Sequence, residues 1–586
     1  MIRISVSVLS RYFSHRKVEN ENNNCFFCFL ISVCLPSNIE YIDGQTYVNI
    51  VIKLKSGYLQ ALPTTSSTDQ ILDDIANSLN SKVISLEGIT SPLPSVENNH
   101  TFIYEKELMK YRNIYLDANM TKDEIIDAIT NIQQLNDVEE VYLEPKAEVA
   151  IVDINYTALP SVSSQTGSYT NLQGYLNPAP QGIDAKYAWT KLGGRGSGVH
   201  VIDVEFAWNK THEDFPEFFI HLGYHYNSSL SARNHGTPVL GIIGAVDNGF
   251  GTIGISSDAS IGASTVIHIS STGTYINYAQ AIINASNVLG KGDVLIIELQ
   301  QNGKPIEYYS QNYDAIRLAV SKGITVVAAA GNGGYNLDNL VFNHAFDRNY
   351  RDSGAIIVAA SQSTDRTPTY YTCYGSRIDV HSWGWNIVSL GGQGEYAGNL
   401  FNGGNENRWY TKSFAGTSGA TPIVAGAAAS LQGVAKANIG RFLTPAEVRK
   451  ILSSTATPQS GGYAKRIGGQ PNLRKAINHL LYTTPSNPSG FWVSEIESTT
   501  ALLRWRDNAD NEIGYRVYRG STLIATLPAN TTSYRVTNLS PNKQYTFTLK
   551  PYNNAGESGG TSVRLKSDAD ISWLIPAIYY PMLLAP

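Results

Sequence analysis

The sequence predicts an α/β fold, a mostly parallel sheet flanked by helices, with a small α+β unit before it and a β-sandwich after it. Three observations carry this expectation. Between about 182 and 485, four near-continuous apolar runs recur between helical segments: VHVIDV (199–204), VLIIEL (294–299), ITVVAAA (324–330) and AIIVAA (355–360). Strands that are apolar on both faces belong in a parallel sheet covered by helices. Between 45 and 150 the texture is mixed: VNIVIKL (48–54) alternates as a strand and TKDEIIDAITNIQQL (121–135) spaces its apolar residues as a helix. After Pro485 only short strand patterns remain, separated by turns at the spacing of a sandwich.

Composition bounds the class of function. The 586 residues suffice for roughly three or four domains. Hydrophobic residues make up 42% and charged residues only 16%, which argues against a coiled coil or a charged disordered chain. The net charge of −5 and the lack of a basic stripe exclude nucleic acid from the expected partners. No apolar run reaches the ~18 residues of a membrane span.

Along the chain, residues 1–44 read as an export leader. Their apolar run CFFCFLISVCL (25–35) follows Arg3, Arg11, Arg16 and Lys17, although Glu19 and Glu21 intervene and no A-x-A site follows. A secreted or cell-surface protein is therefore expected. Cys25, Cys28 and Cys34 crowd that run, which leaves Cys373 as a lone buried thiol and makes a zinc site a poor reading. The α+β unit (45–150) carries its helix behind a Thr121 cap with an acidic first turn, followed by a strand at VEEVYL (138–143). A Ser/Thr/Asn/Gln/Pro-rich stretch (151–181) reads as an exposed linker. The α/β domain spans 182–485. The sandwich spans 486–566, with strands at 501–505, 514–518, 533–536 and 545–551. An apolar tail broken by Pro576 and Pro581 (567–586) closes the chain.

The chemistry concentrates in the α/β domain. In GTSGATP (416–422), Gly416 permits a tight turn and Ser418 comes at the N-terminus of an apolar helix. Unpaired amides and the helix dipole there favour a developing oxyanion. Pro422 suits a first helical turn, where amides lack partners. A hydroxyl needs a base to become a nucleophile. His235, in NHGTPV at the opening of the helix LGIIGA, is the candidate, and Asp203 at the end of VHVIDV is the acid that would orient it. Asn332, in AAAGNG after another buried strand, can donate its side-chain amide to an oxyanion.

Four motifs in the order Asp203, His235, Asn332, Ser418 resemble the subtilisin-like serine peptidases, whose order is Asp…His…Ser. The matching stretches are VIDVEFAW, NHGTPVLGII, AAAGNG and GTSGATPIVAG. The resemblance implies a serine endopeptidase acting on proteins or peptides through Asp203, His235 and Ser418, with Asn332 in the oxyanion hole. It implies no cofactor for the chemistry and is compatible with a structural calcium. It further implies that the α+β unit is a propeptide that chaperones and inhibits, with cleavage between about Lys146 and Gly182. Residues 486–566 resemble a fibronectin type III domain, on Trp505 and on Leu539 and Tyr545 of LSPNKQY. Such a module would take an extracellular polymer or surface ligand. The departures are Val204 and Glu205 after the acid, Gly419 after the nucleophile, and VLIIELQQ (294–301) where the family has a strand ending in Ser-Leu-Gly.

Blander readings apply elsewhere. His212, His221 and His225 read as solvated loop histidines, His381 as a packing or hydrogen-bonding residue, and Glu205 as a structural hydrogen-bond partner. Two competing functions compare poorly with these residues. An α/β-hydrolase esterase would need G-x-S-x-G with acid and base after the serine, but Ala420 takes the last glycine place and only His479 follows. A catalytically inert surface binding protein would act through the fibronectin-like module.

Overall fold

The structure, a computed structural model, describes residues 45–55, 83–88, 99–116, 120–149, 165–223, 230–270, 273–392, 398–462 and 464–569. The expected leader and most of the apolar tail lie outside these.

The N-terminal unit is a four-stranded antiparallel sheet with two helices. Its strands are β1 (Tyr47–Leu54), β2 (Val83–Gly88), β3 (Tyr111–Leu116) and β4 (Val138–Pro145), in the order β2-β3-β1-β4. Helix α1 (Asn99–Leu108) precedes β3, and α2 (Lys122–Gln133) precedes β4. Helix α2 starts where its sequence demands: the Thr121 hydroxyl accepts from the Glu124 amide and the Glu124 carboxylate accepts from the Thr121 amide. Its Ile125, Ala128, Ile129 and Ile132 bury against Ile50, Ile52, Val141 and Leu143. Full burial of such aliphatic side chains is worth about 1.5–3 kcal/mol each. The alternation of a strand sends Val51 to the opposite face, where Val51, Leu108 and Tyr111 join the core of the large domain. β1 is thus buried on both sides although its unit is small.

The large domain is built on a nine-stranded sheet. Its central strands are β6 (His200–Glu205), β7 (Ser260–Thr265), β8 (Val294–Ile297), β10 (Thr325–Ala329), β11 (Ile356–Ser361) and β12 (Val380–Trp383). Two short strands come in between in the chain: β5 (Glu148–Val149), ahead of the sheet, and β9 (Leu299–Gln301), just after β8. The central order is β12-β11-β10-β8-β6-β7, all parallel. Helices α3 (Leu230–Gly244) and α6 (Thr417–Ile439) cover one face, with α8 (Leu473–Tyr482) behind α6. Helices α4 (Tyr278–Val288) and α5 (Ser310–Ser321) cover the other, and α7 (Pro445–Ser454) packs beside α8.

The C-terminal unit is two antiparallel sheets of three and five strands around Trp505, Leu503, Val517 and Phe547. Tyr545 packs its ring near Phe547, and its hydroxyl accepts from the Ser540 amide, closing the corner before that strand. The sandwich is fastened to the large domain by polar contacts. Asn511 donates to the His479 and Thr483 carbonyls, His479 pairs with Asp510 at 2.7 Å, and Arg441 reaches both Glu447 and the Glu512 carbonyl.

The linker expectation fails from residue 165 onward. Tyr175 and Leu176 are fully buried. Tyr175 packs edge-on against Trp383 and donates to the Val388 carbonyl. Polar composition hid two anchor side chains that complete the large domain's core.

Candidate active site

Strand register assembles the site. On β6 the side chains of Val201, Asp203 and Glu205 share a face, and β8 pairs Val294 with Val201 and Ile296 with Asp203. Val201, Val294 and Ile296 bury in the core beneath α3 and α6. Asp203, Glu205 and Glu298, which directly follows β8, are all fully buried. Three carboxyls therefore collect at the C-terminal end of the sheet, on the face that carries the two motif helices.

Helix α3 brings His235 to this cluster, fully buried, with Nδ1 3.0 Å from Glu205 Oε2. The other Glu205 oxygen accepts from the Phe206 amide at 2.7 Å. Asp203 is engaged elsewhere: its Oδ2 accepts from Trp208 Nε1 at 2.7 Å. The imidazole contact thus goes to Glu205, read from the sequence as a structural hydrogen-bond partner, and not to Asp203, the acid expected to orient it. Both point the same way from the strand, and the Trp208 indole decides between them. A glycine beside His235 makes this packing feasible. A Cβ on Gly236 would stand 2.5 Å from the Ala207 carbonyl oxygen and 2.7 Å from the Trp208 ring.

Ser418 is the second residue of α6, whose N-cap is Gly416 at φ 88°, a conformation natural to glycine. Its Oγ lies 3.4 Å from the Glu298 carbonyl oxygen. Both motif helices begin earlier than the sequence suggested. His235 lies inside α3 rather than at its opening, and Pro422 lies in the second turn of α6 rather than the first. Pro238 and Pro422 consequently remove the helical amides that would bond the Asn234 and Ser418 carbonyls. In each helix the threonine before the proline, Thr237 or Thr421, donates to the carbonyl four residues back.

Asn332 follows β10 with its Oδ1 accepting from both the Thr417 amide (3.0 Å) and the Thr417 hydroxyl (2.9 Å). Two donors on one atom fix which end of the amide is oxygen. Nδ2 is thereby left as a buried donor with no partner among the described residues.

Burial pushes the Asp203 carboxyl up to about 8, with Glu205 adding to the rise, while a hydrogen bond from Glu298 and one from Trp208 oppose it. Burial also drives Glu298 well above the carboxylate range, reinforced by Asp203 and Glu205. Glu205, His235 and Glu298 offer donor atoms within 4.8 Å of one another. Since Nδ1 is already committed to Glu205, a shared proton satisfies this set.

The remaining residues fall as follows. His212 is buried rather than solvated. It lies 2.8 Å from the Trp409 carbonyl and accepts from the Asp214 amide, and burial lowers it to about 4. His221 is half-buried beside Lys210, and His225 is outside the described residues. His381 bonds the Gly468 carbonyl and is lowered by burial to about 4. Cys373 is buried against the Gly303 carbonyl, its thiol pushed up to about 11 by burial. Sequence reasoning passed over Glu298. The signal was present: a carboxylate breaking an apolar strand pattern, two residues beyond Ile296, which pairs with Asp203.

Residues 107–479 match the sequence pattern of the subtilase family, well over half of the chain. The chain belongs to the subtilase family. Residues 486–568 match the fibronectin type III domain. Similar curated proteins include thermitase of Thermoactinomyces vulgaris, 31% identical over 305 residues, covering 51% of this chain and 95% of that protein. The intracellular serine protease of Paenibacillus polymyxa is 27% identical over 320 residues, covering 53% of this chain and 86% of that one. Among solved structures, a protease of Pseudoalteromonas arctica PAMC 21717 aligns with a TM-score of 0.39 at 23% identity, over 54% of this chain and 99% of that one. This subtilase is a serine-type endopeptidase, a chemistry that needs no cofactor, and its substrates are proteins or peptides.

Proposed function

We propose that the chain is an exported subtilase made as an inhibited precursor, and that its catalytic set is Glu205, His235 and Ser418. The observation that carries this is the buried 3.0 Å contact between His235 Nδ1 and Glu205. Ser418 Oγ attacks the peptide carbonyl while His235 Nε2 takes its proton and later gives it to the leaving amine. Glu205 holds the Nδ1–H tautomer and balances the imidazolium. The Asn332 amide and the Ser418 backbone N–H receive the oxyanion. Water then releases the acyl-enzyme by the same route.

The inhibited state is supported by β5, which pairs antiparallel with β9, Val149 opposite Leu299 and Glu148 opposite Gln300. β9 leads directly from Glu298, so the end of the N-terminal unit lies as an added strand beside the catalytic cluster. A peptide substrate would take the same edge once that unit leaves. The body of the unit sits on α5: Tyr111 donates to Asp314 at 2.8 Å and the Gln311 amide to the Tyr142 hydroxyl at 3.2 Å. Export, a structural calcium and a surface ligand for the sandwich belong to the same proposal. Heat inactivation with and without a chelator tests the calcium.

The deciding experiment is labelling of the purified chain by a fluorophosphonate, beside Ser418→Ala, with N-terminal sequencing of both. Labelling and a new N-terminus that the variant lacks are expected. A chain freed of its N-terminal unit that takes no label would refute the catalytic reading and leave the inert binding protein.

A further inference from the structure

Glu298 takes no part in the mechanism above, yet it neighbours Glu205, His235 and Ser418. It is fully buried, and among the described residues neither carboxyl oxygen has a hydrogen-bond donor. Asp203 and Glu205 face it from β6 and His235 from α3, while Ser418 approaches its backbone carbonyl. Among the described residues, no lysine or arginine makes an ion pair with Asp203, Glu205 or Glu298, and His235 alone pairs with one of them.

Three carboxyls within reach of one another in a dry site cannot all be ionised. Two carboxyl oxygens make a hydrogen bond only when one carries a proton. The donors around each carboxyl decide where the charge rests. Glu205 receives two, from the Phe206 amide and His235, Asp203 receives one from Trp208, and Glu298 receives none. The anion belongs on Glu205, while Glu298 keeps a proton and so does Asp203, which burial pushes up to about 8. A Glu298 carboxyl oxygen lies within 4.8 Å of Glu205 and of the His235 ring.

We infer that Glu298 is a positioning residue held as a neutral carboxylic acid, donating to Glu205 and so confining the negative charge of the cluster to the carboxylate that holds His235. This rests on the assignment of Glu205 to the catalytic set and adds a residue to it. The proton stays on Glu298 through the turnover, so nothing is consumed. Loss of a proton from the Asp203–Glu298 pair would place a second negative charge beside the imidazole. That charge would tighten the hold on the imidazolium and add an alkaline ionisation to the rate profile.

The test is kcat/KM against pH for the full chain after release of its N-terminal unit, in wild type, Glu298→Gln and Glu298→Ala. Difference infrared spectra of the carboxylic-acid carbonyl stretch accompany the rates. The glutamine can donate to Glu205 but cannot titrate. Its kcat/KM should stay within about tenfold of wild type, with the alkaline limb shifted by about a pH unit or more. The alanine, lacking the donor, should lose roughly 10- to 100-fold, chiefly in kcat. The acid carbonyl band of wild type at neutral pH should weaken in Glu298→Gln. Superimposable profiles for the three proteins, or a band that Glu298→Gln leaves intact, would overturn the inference. Should the alanine variant not fold, Glu298→Gln and the infrared band decide alone. Absence of fluorophosphonate labelling in wild type would instead refute the catalytic set, and the band would still report where the proton sits.

Discussion

Two acidic clusters are buried in the same domain, and they are neutralised in opposite ways. Around Arg377 the sheet and its loops bury Glu307 and Asp379 against a guanidinium that is itself fully buried, at 2.7 and 2.9 Å. Ser353 and the Ala355 carbonyl take up further polar groups there. The facing carboxylates hold Arg377 firmly protonated, above its ordinary value despite burial. At the end of β6 three carboxyls gather with one imidazole and, among the described residues, no fixed cation. A cluster with a permanent counter-ion can only hold the fold together. A cluster balanced by protons can change charge, as a reacting imidazole requires. Burial of acidic residues therefore marks chemistry only where the compensating charge is movable.

The largest effect should come from separating the two carboxylates of β6. Glu205→Gln should lower kcat about 10⁴-fold by spoiling the imidazole tautomer. Asp203→Asn, which keeps a partner for Trp208, should cost no more than about tenfold. Equal losses in steady-state kinetics would erase the distinction between Asp203 and Glu205. Next comes the cation of the other cluster. Arg377→Met should destabilise by about 3–5 kcal/mol because Glu307 is left buried without its counter-ion. The thermal midpoint should drop while fluorophosphonate labelling of the remaining folded chain persists. Asn332→Ala should then lower kcat about 10²–10³-fold with little change in KM.

The smallest effect concerns Glu144, buried where β4 meets the large domain and receiving Asn49, Gln301 and Asn312. Burial pushes it up to about 7. Its protonated form is therefore favoured in the docked state. Docking is tightest below the ordinary carboxyl value and weakens as pH rises through about 7. The inhibition constant of the cleaved but associated N-terminal unit should rise roughly 10²-fold between pH 5 and 8. Glu144→Gln should flatten that slope.

Much of the fold was legible because its strands are apolar on both faces and its helices carry caps. β8, β10 and β11 lie within the runs that marked them, and α2 starts at its Thr121 cap. Serine, histidine and asparagine stood out because each sits in a run of small residues that only a close-packed helix or turn tolerates. The acid did not separate so well. Asp203 and Glu205 share a strand face, and local sequence cannot say which will be captured by an indole five residues beyond Asp203. His212 and the 165–176 segment were misjudged for a common reason. Polar composition reports on solubility, whereas their burial depends on partners more than 190 residues away, the Trp409 carbonyl and Trp383.

The anchoring of Tyr175 beneath Trp383 carries a consequence for the size of the finished enzyme. Any trimming that runs past Tyr175 would pull a plug from the core, so a working mature chain should keep this residue as its own. In the proposed maturation the N-terminal unit leaves, whereas the segment around Tyr175 stays with the enzyme, like a cork that remains with the bottle rather than with the wrapping.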